Sequence, residues 1–150
     1  MKVLICLSNG MSKRRDYIIK VLKGVLKGVL KVTGMTPQQI NHGHCRVFAQ
    51  SVLDASDLDD LEIANVQTFK RGGLFDRNVL SSKWNIHPPK GIKWDDLDQI
   101  DFKSHAWVAD PVEGLHYDAE APQGVKSFFE LPFNRRLIKE YLHHKRHLNS

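Results

Sequence analysis

The sequence predicts an α+β domain, on three observations. Residues 12–32 repeat apolar and basic positions at helical spacing. A second helical stretch opens at Cys45, directly after a glycine-containing turn. Residues 102–109 and 114–119 alternate as strands do, around the turn-forming Asp110, Pro111, Val112 and Glu113. The chain has 150 residues, 41% hydrophobic and 26% charged, which fits one domain over residues 1–150 with a single core and cleft.

Taken in chain order, residues 3–7 read as a short buried strand, or as an extended lead if Met11 is the true start. This run is shorter than the roughly 7–15 residues of a signal-peptide core, and no stretch approaches the roughly 20 apolar residues that span a bilayer. A cytoplasmic location with no membrane span is therefore expected. Residues 11–33 form a basic amphipathic helix, with Ser12 as N-cap and Gly34 as the stop. Ile18, Ile19, Leu22, Val25, Leu26, Val29 and Leu30 share one side of it. Lys20, Lys23, Lys27 and Lys31 recur on another, as a solvated face or a surface for an acidic partner.

Charge is distributed unevenly. Residues 1–50 carry nine Lys/Arg and one acid (+8), residues 51–100 six and nine (−3), and residues 101–150 seven of each, which gives the net +5. The excess is one N-terminal block and not a basic field interleaved with aromatics, so a nucleic-acid partner is not expected.

Thr36 and Pro37 break the chain, and residues 38–44 are a polar lead into a helix over residues 45–53, with Val47, Phe48, Val52 and Leu53 as its apolar set. Residues 54–62 are acidic and solvent-facing. Residues 63–69 suit a strand, ended by Lys70, Arg71, Gly72 and Gly73. Residues 74–100, with Pro88 and Pro89, read as a long irregular loop, and residues 134–150 as a basic C-terminal helix that frays into a tail.

Two cysteines, Cys6 and Cys45, are too few for a disulfide framework and form no CxxC pair. This suits a reducing compartment and a free thiol. At the start of a helix, Cys45 would lie in the positive field of the helix N-terminus, which favours thiolate. The same helix start offers backbone N–H groups to an oxyanion. His105 and Trp107 share one strand face, and His116 and Asp118 share a face ten residues on. A hairpin between these segments would lay the Asp118 carboxylate beside the His105 ring. There it would fix the tautomer and stabilise the imidazolium formed when the thiol gives up its proton.

Gly-His-Cys-Arg-Val-Phe-Ala at 43–49, His-Ala-Trp-Val at 105–108 and Tyr-Asp at 117–118 together resemble the three core motifs of the transglutaminase-like, papain-related superfamily of cysteine hydrolases. The resemblance covers roughly residues 39–53 and 103–120. It implies a helix that starts at the nucleophilic cysteine and packs on an antiparallel sheet, with histidine and acid on adjacent strands. It assigns Cys45 as nucleophile, His105 as base and Asp118 as the group orienting the base. The family often places an aromatic directly after the cysteine, where this chain has Arg46. Gln39 stands six residues ahead of Cys45, where papain-like enzymes keep a glutamine in the oxyanion hole, and Gln38 and Asn41 compete for that role. His44 and Trp107 are expected to line the cleft. Residues 117–125 also resemble small thiol-hydrolase-like proteins of bacteria and their viruses.

The implied reaction is acyl transfer from a protein, peptide or other amide to Cys45, with no cofactor and no metal. The resulting thioester passes to water in a peptidase, amidase or deamidase, or to an amine in a transglutaminase-type enzyme; small size favours hydrolysis. Two other classes fit parts of the sequence. His42, His44 and Cys45, completed by His105, His116 or the tail histidines His143, His144 and His147, offer metal ligands but lack a familiar zinc spacing. An inactive thiol fold with basic helices would be an interaction module.

Overall fold

A computed structural model describes residues 12–148; the expected strand at residues 3–7, and Cys6, lie outside the described residues. Helix α1 (Lys13–Thr33) has the predicted ends. Ser12 Oγ accepts the Arg15 N–H at 2.9 Å, and Gly34 at φ 71° donates its N–H to Leu30 O. Such a left-handed residue is one that glycine adopts without a Cβ penalty. Ile18, Ile19 and Leu22 are buried, whereas the four lysines of the stripe are exposed and make no ion pair among the described residues. Arg14 fastens α1 to the sheet, its Nε and Nη2 reaching the two Asp110 carboxylate oxygens at 3.1 and 2.9 Å.

Residues 38–44 are not simply a polar lead. They follow Thr36, whose capping box starts a short helix α2 (Pro37–Asn41), with Pro37 pre-set for the first turn. Helix α3 (Cys45–Ala55) then begins at the expected residue. It buries Cys45, Phe48, Ala49 and Val52, an i, i+3, i+4, i+7 set. Val47 falls off that stripe and is 68% exposed, a correction to its expected place in the apolar set.

Four antiparallel strands form the main sheet in the order β1-β4-β5-β6: β1 (Glu62–Ala64), β4 (Trp107–Asp110), β5 (Leu115–Asp118) and β6 (Ala121–Val125). The predicted hairpin is present, with Val108 opposite Tyr117 and Ala109 opposite His116. β4 is shorter than expected and starts at Trp107, so His105 lies just ahead of it. β6 was not anticipated, because Pro122 and Gly124 disguise it; an edge position tolerates both.

The strand expected over 63–69 stops at Ala64. Asn65 Oδ1 accepts the Gln67 and Thr68 N–H groups and turns the chain into a 3-10 helix, Val66–Phe69. The region expected to be one irregular loop holds the end of a tight hairpin, β2 (Lys70–Arg71) with β3 (Leu74–Phe75), a π-helical turn Val79–Lys83 and helix α4 (Trp94–Gln99). Helix α5 (Pro132–Leu148) closes the chain, with Phe133, Asn134 and Ile138 buried.

The sheet separates two cores. Val108, Leu115, Tyr117 and Ala119 meet α1 and α3 through Ile18, Leu22, Phe48 and Val52. Trp107 and Ala109 meet an aromatic core of Phe69, Phe75, Trp84, Phe128 and Phe129. Each Val, Leu, Ile or Phe side chain among these contributes about 1.5–3 kcal/mol on burial. Among the described residues no helix is long and apolar enough to cross a membrane.

Candidate active site

Cys45, His105 and Asp118 come together where the chain enters β4 and leaves β5. Gly43, at φ 129°, and the N-cap His44 bring α2 into α3, so that Cys45 is the first helical residue. Its Sγ accepts the Ala106 N–H at 3.4 Å and lies 3.8 Å from Ser104 O. The segment leading into β4 therefore holds both the thiol and, one residue away, His105.

His105 Nε2 meets Asp118 Oδ2 at 2.9 Å. The other carboxylate oxygen accepts the Glu120 and Ala121 N–H groups, each at 2.9 Å, and so caps the turn between β5 and β6. With Nε2–H donating to Asp118, His105 Nδ1 carries the lone pair. That atom is buried and has no hydrogen-bond partner among the described residues. All three residues are buried, with Cys45 8% exposed against 1% for His105 and 2% for Asp118, so Cys45 keeps the most contact with solvent of the three. Phe133 of α5 stacks on the imidazole at 4.3 Å between ring centroids and 21° between planes.

Burial alone pushes the Cys45 thiol pKa up, but His105 and the N–H groups of Ala106 and Arg46 outweigh it and bring the net value below that of an ordinary thiol. Burial likewise pulls His105 down, and Asp118 with Cys45 outweighs it, so the imidazole is raised above its usual value. Both shifts favour the thiolate–imidazolium pair. The arrangement is a thiol, an imidazole and a fixed carboxylate in series. The first turn of α3 supplies backbone N–H groups that lack intrahelical acceptors, and that of Arg46 acts on the thiol itself.

Gln39 does not reach this cluster. Its Oε1 accepts the Thr36 N–H at 2.8 Å in the α2 cap, and among the described residues it makes no hydrogen bond to Cys45 or His105. His44 lines a cavity of about 450 Å³ with Gln39, His42 and the end of α1, whose lining does not include Cys45, His105 or Asp118. Trp107 does not line the cleft: it is 0% exposed, and its Nε1–H donates to His116 Nδ1 inside the aromatic core at 3.0 Å. Large rings on the inner face of a covered sheet are core residues. Among the described residues no group of three or more His, Cys, Asp or Glu side chains is placed to hold a metal ion.

Sequence reasoning missed Glu120, Arg136 and Phe133, which brace the site, and took Asn41 as a competitor for the oxyanion role, whereas its amide braces Glu120. Glu120 accepts both Arg136 guanidinium nitrogens and Asn41 Nδ2, at 2.8–2.9 Å. An acid two residues beyond Asp118 in a short turn was the one available signal for this. No protein-family model, curated protein or solved structure matches the chain.

Proposed function

We propose that the chain is a cysteine-dependent acyl-transfer enzyme, a thiol hydrolase of the peptidase, amidase or deamidase kind, built on a papain-like and transglutaminase-like core. The observation that carries this reading is the His105–Asp118 hydrogen bond, with the free imidazole nitrogen and the Cys45 thiol influencing each other's proton affinity.

In the proposed cycle the thiol proton passes to His105 Nδ1. The thiolate attacks the amide carbonyl carbon, forming a C–S bond, and the carbonyl oxygen takes up negative charge opposite the N–H groups of the α3 start. The tetrahedral intermediate collapses, the C–N bond breaks, and His105 returns the proton to the leaving amine. Water, deprotonated by the same nitrogen, then cleaves the thioester and restores the thiol. Asp118 keeps its proton state throughout and holds the ring. Water is the acceptor proposed here; an amine acceptor would use the same first half.

The test is a burst experiment with p-nitrophenyl acetate. About one equivalent of p-nitrophenolate per chain should be released quickly, with an acetyl group found on Cys45 by peptide mass spectrometry. A chain in which Cys45→Ala gives the same burst, or in which Cys45 stays unmodified, would refute the reading.

A further inference from the structure

We infer that α5 and the chain beneath it form a docking groove for an acidic segment of the polypeptide substrate of the Cys45 site. The groove has a volume of about 580 Å³, and no Asp or Glu lines it. Its rim carries Arg135, Lys139 and Arg146, which make no ion pair among the described residues. Its floor is apolar, from Phe129, Ile138 and Leu142. Unpaired cations over an apolar floor complement a chain that alternates carboxylates with aliphatic side chains.

The geometry favours an extended peptide over a nucleic-acid strand. From residue 135 to 146 the helix advances roughly 16 Å, about the length of five extended residues at roughly 3.3 Å each. Single-stranded nucleic acid would want exposed aromatic faces for base stacking. The lining has no Tyr or Trp; its one Phe, Phe129, is buried with 1% exposure, and its other ring, His143, packs edge-on against His147 at 4.4 Å. The groove and the site share helix α5, although Cys45, His105 and Asp118 are not in the groove's lining. The first turn of α5 puts Phe133 on the His105 ring, and Arg136, on the groove wall, holds Glu120 beyond Asp118. A segment held along α5 would thus deliver a neighbouring amide toward Cys45. This inference names the substrate class for the thiol-enzyme reading and rests on it only for that delivery.

The test uses the full chain and a fluorescein-labelled peptide, Glu-Leu-Glu-Ala-Leu-Glu, bearing a chloroacetyl group at one end or the other. Cys45 displaces chloride from that group, forming a thioether. Binding is read by anisotropy with the unreactive peptide, and delivery by the rate of Cys45 alkylation. R135E/K139E/R146E should weaken binding by about tenfold or more and slow alkylation by the peptide similarly. Its reaction with iodoacetamide should match the parent's, which also reports a folded site. K23E/K27E on α1 should leave both peptide readouts unchanged. Equal binding by parent and groove variant, an equal loss with K23E/K27E, or tighter binding of a single-stranded oligonucleotide of matched charge would overturn the proposal. Peptide binding that depends on the groove, with Cys45 inert to every electrophile, would sink the thiol-enzyme reading and delivery while leaving the docking groove standing.

Discussion

Glu120 grips Arg136 through two parallel hydrogen bonds, 2.9 Å from Nη1 to Oε1 and 2.8 Å from Nη2 to Oε2, two residues beyond Asp118. Its Oε2 also accepts Asn41 Nδ2 at 2.8 Å. One carboxylate therefore joins the helix before Cys45, the turn that holds Asp118 and the helix that covers His105. Bidentate geometry of this kind fixes orientation as well as distance.

Glu120→Ala should lower stability by about 1–2 kcal/mol, since Asn41 is buried and loses its partner while Arg136 remains partly solvated. It should also slow Cys45 alkylation. Urea unfolding and iodoacetamide kinetics on the same samples check both, and Glu120→Asp should recover less than half of either loss because its shorter stem cannot span both partners.

Alkylation of Cys45 should follow an ionisation whose midpoint lies below the roughly 8.5 of a free cysteine. His105→Ala removes the main group holding the thiol down, so the midpoint should move up and the rate near neutral pH should fall about tenfold or more. Asp118→Asn should move it in the same direction. Rate against pH for the three proteins is the measurement, and a midpoint that stays in place would count against the triad.

His116 should make the fold sensitive to acid. Burial pushes its pKa from 6.5 down to about 3, so it is neutral in the folded chain and binds a proton more readily when unfolded. The stability it contributes is full above about 6.5 and falls as pH drops toward about 3. His105, with its raised pKa, acts oppositely: its contribution is full below 6.5 and is lost as pH rises through the folded value. His116→Gln should therefore flatten the decline in unfolding free energy between about pH 6 and pH 4. Denaturant melts at a series of pH values test this.

Gly124→Ala should destabilise by about 2–4 kcal/mol. Gly124 has φ 82°, and an added Cβ would lie 2.7 Å from Cε2 of Tyr117, a ring with no exposed surface to move into. Arg15, which donates to Gln123 O at 2.8 Å, ties α1 to the same stretch. Thermal unfolding should show the loss, and Gly28→Ala, with open space around it on α1, should not.

The elements most legible in the sequence were those whose signals are local. Ser12 and Gly34 mark α1 through cap chemistry, and the alternation of residues 105–108 and 115–118 around a turn gives both the hairpin and the pairing of His105 with Asp118. Features set by tertiary context were hidden. Val47 is apolar yet exposed, because the position of the sheet and not composition decides which stripe of α3 is covered. Trp107 gives no sign that residues from 66 to 138 will close over its face. β6 exists although Pro122 and Gly124 argue against a strand, since pairing with β5 on one side is enough. Gln39 matched on spacing, but the Thr36 cap claims its carbonyl oxygen.

Every acceptor direction of the Asp118 carboxylate that matters for orientation is already in use: backbone amides at one oxygen, imidazole at the other. The side chain has no freedom to pivot independently of the β5–β6 connection. Alignment of the imidazole is thus inherited from the stiffness of a hairpin, and a substitution that softens that hairpin should register as altered thiol chemistry well before the domain unfolds.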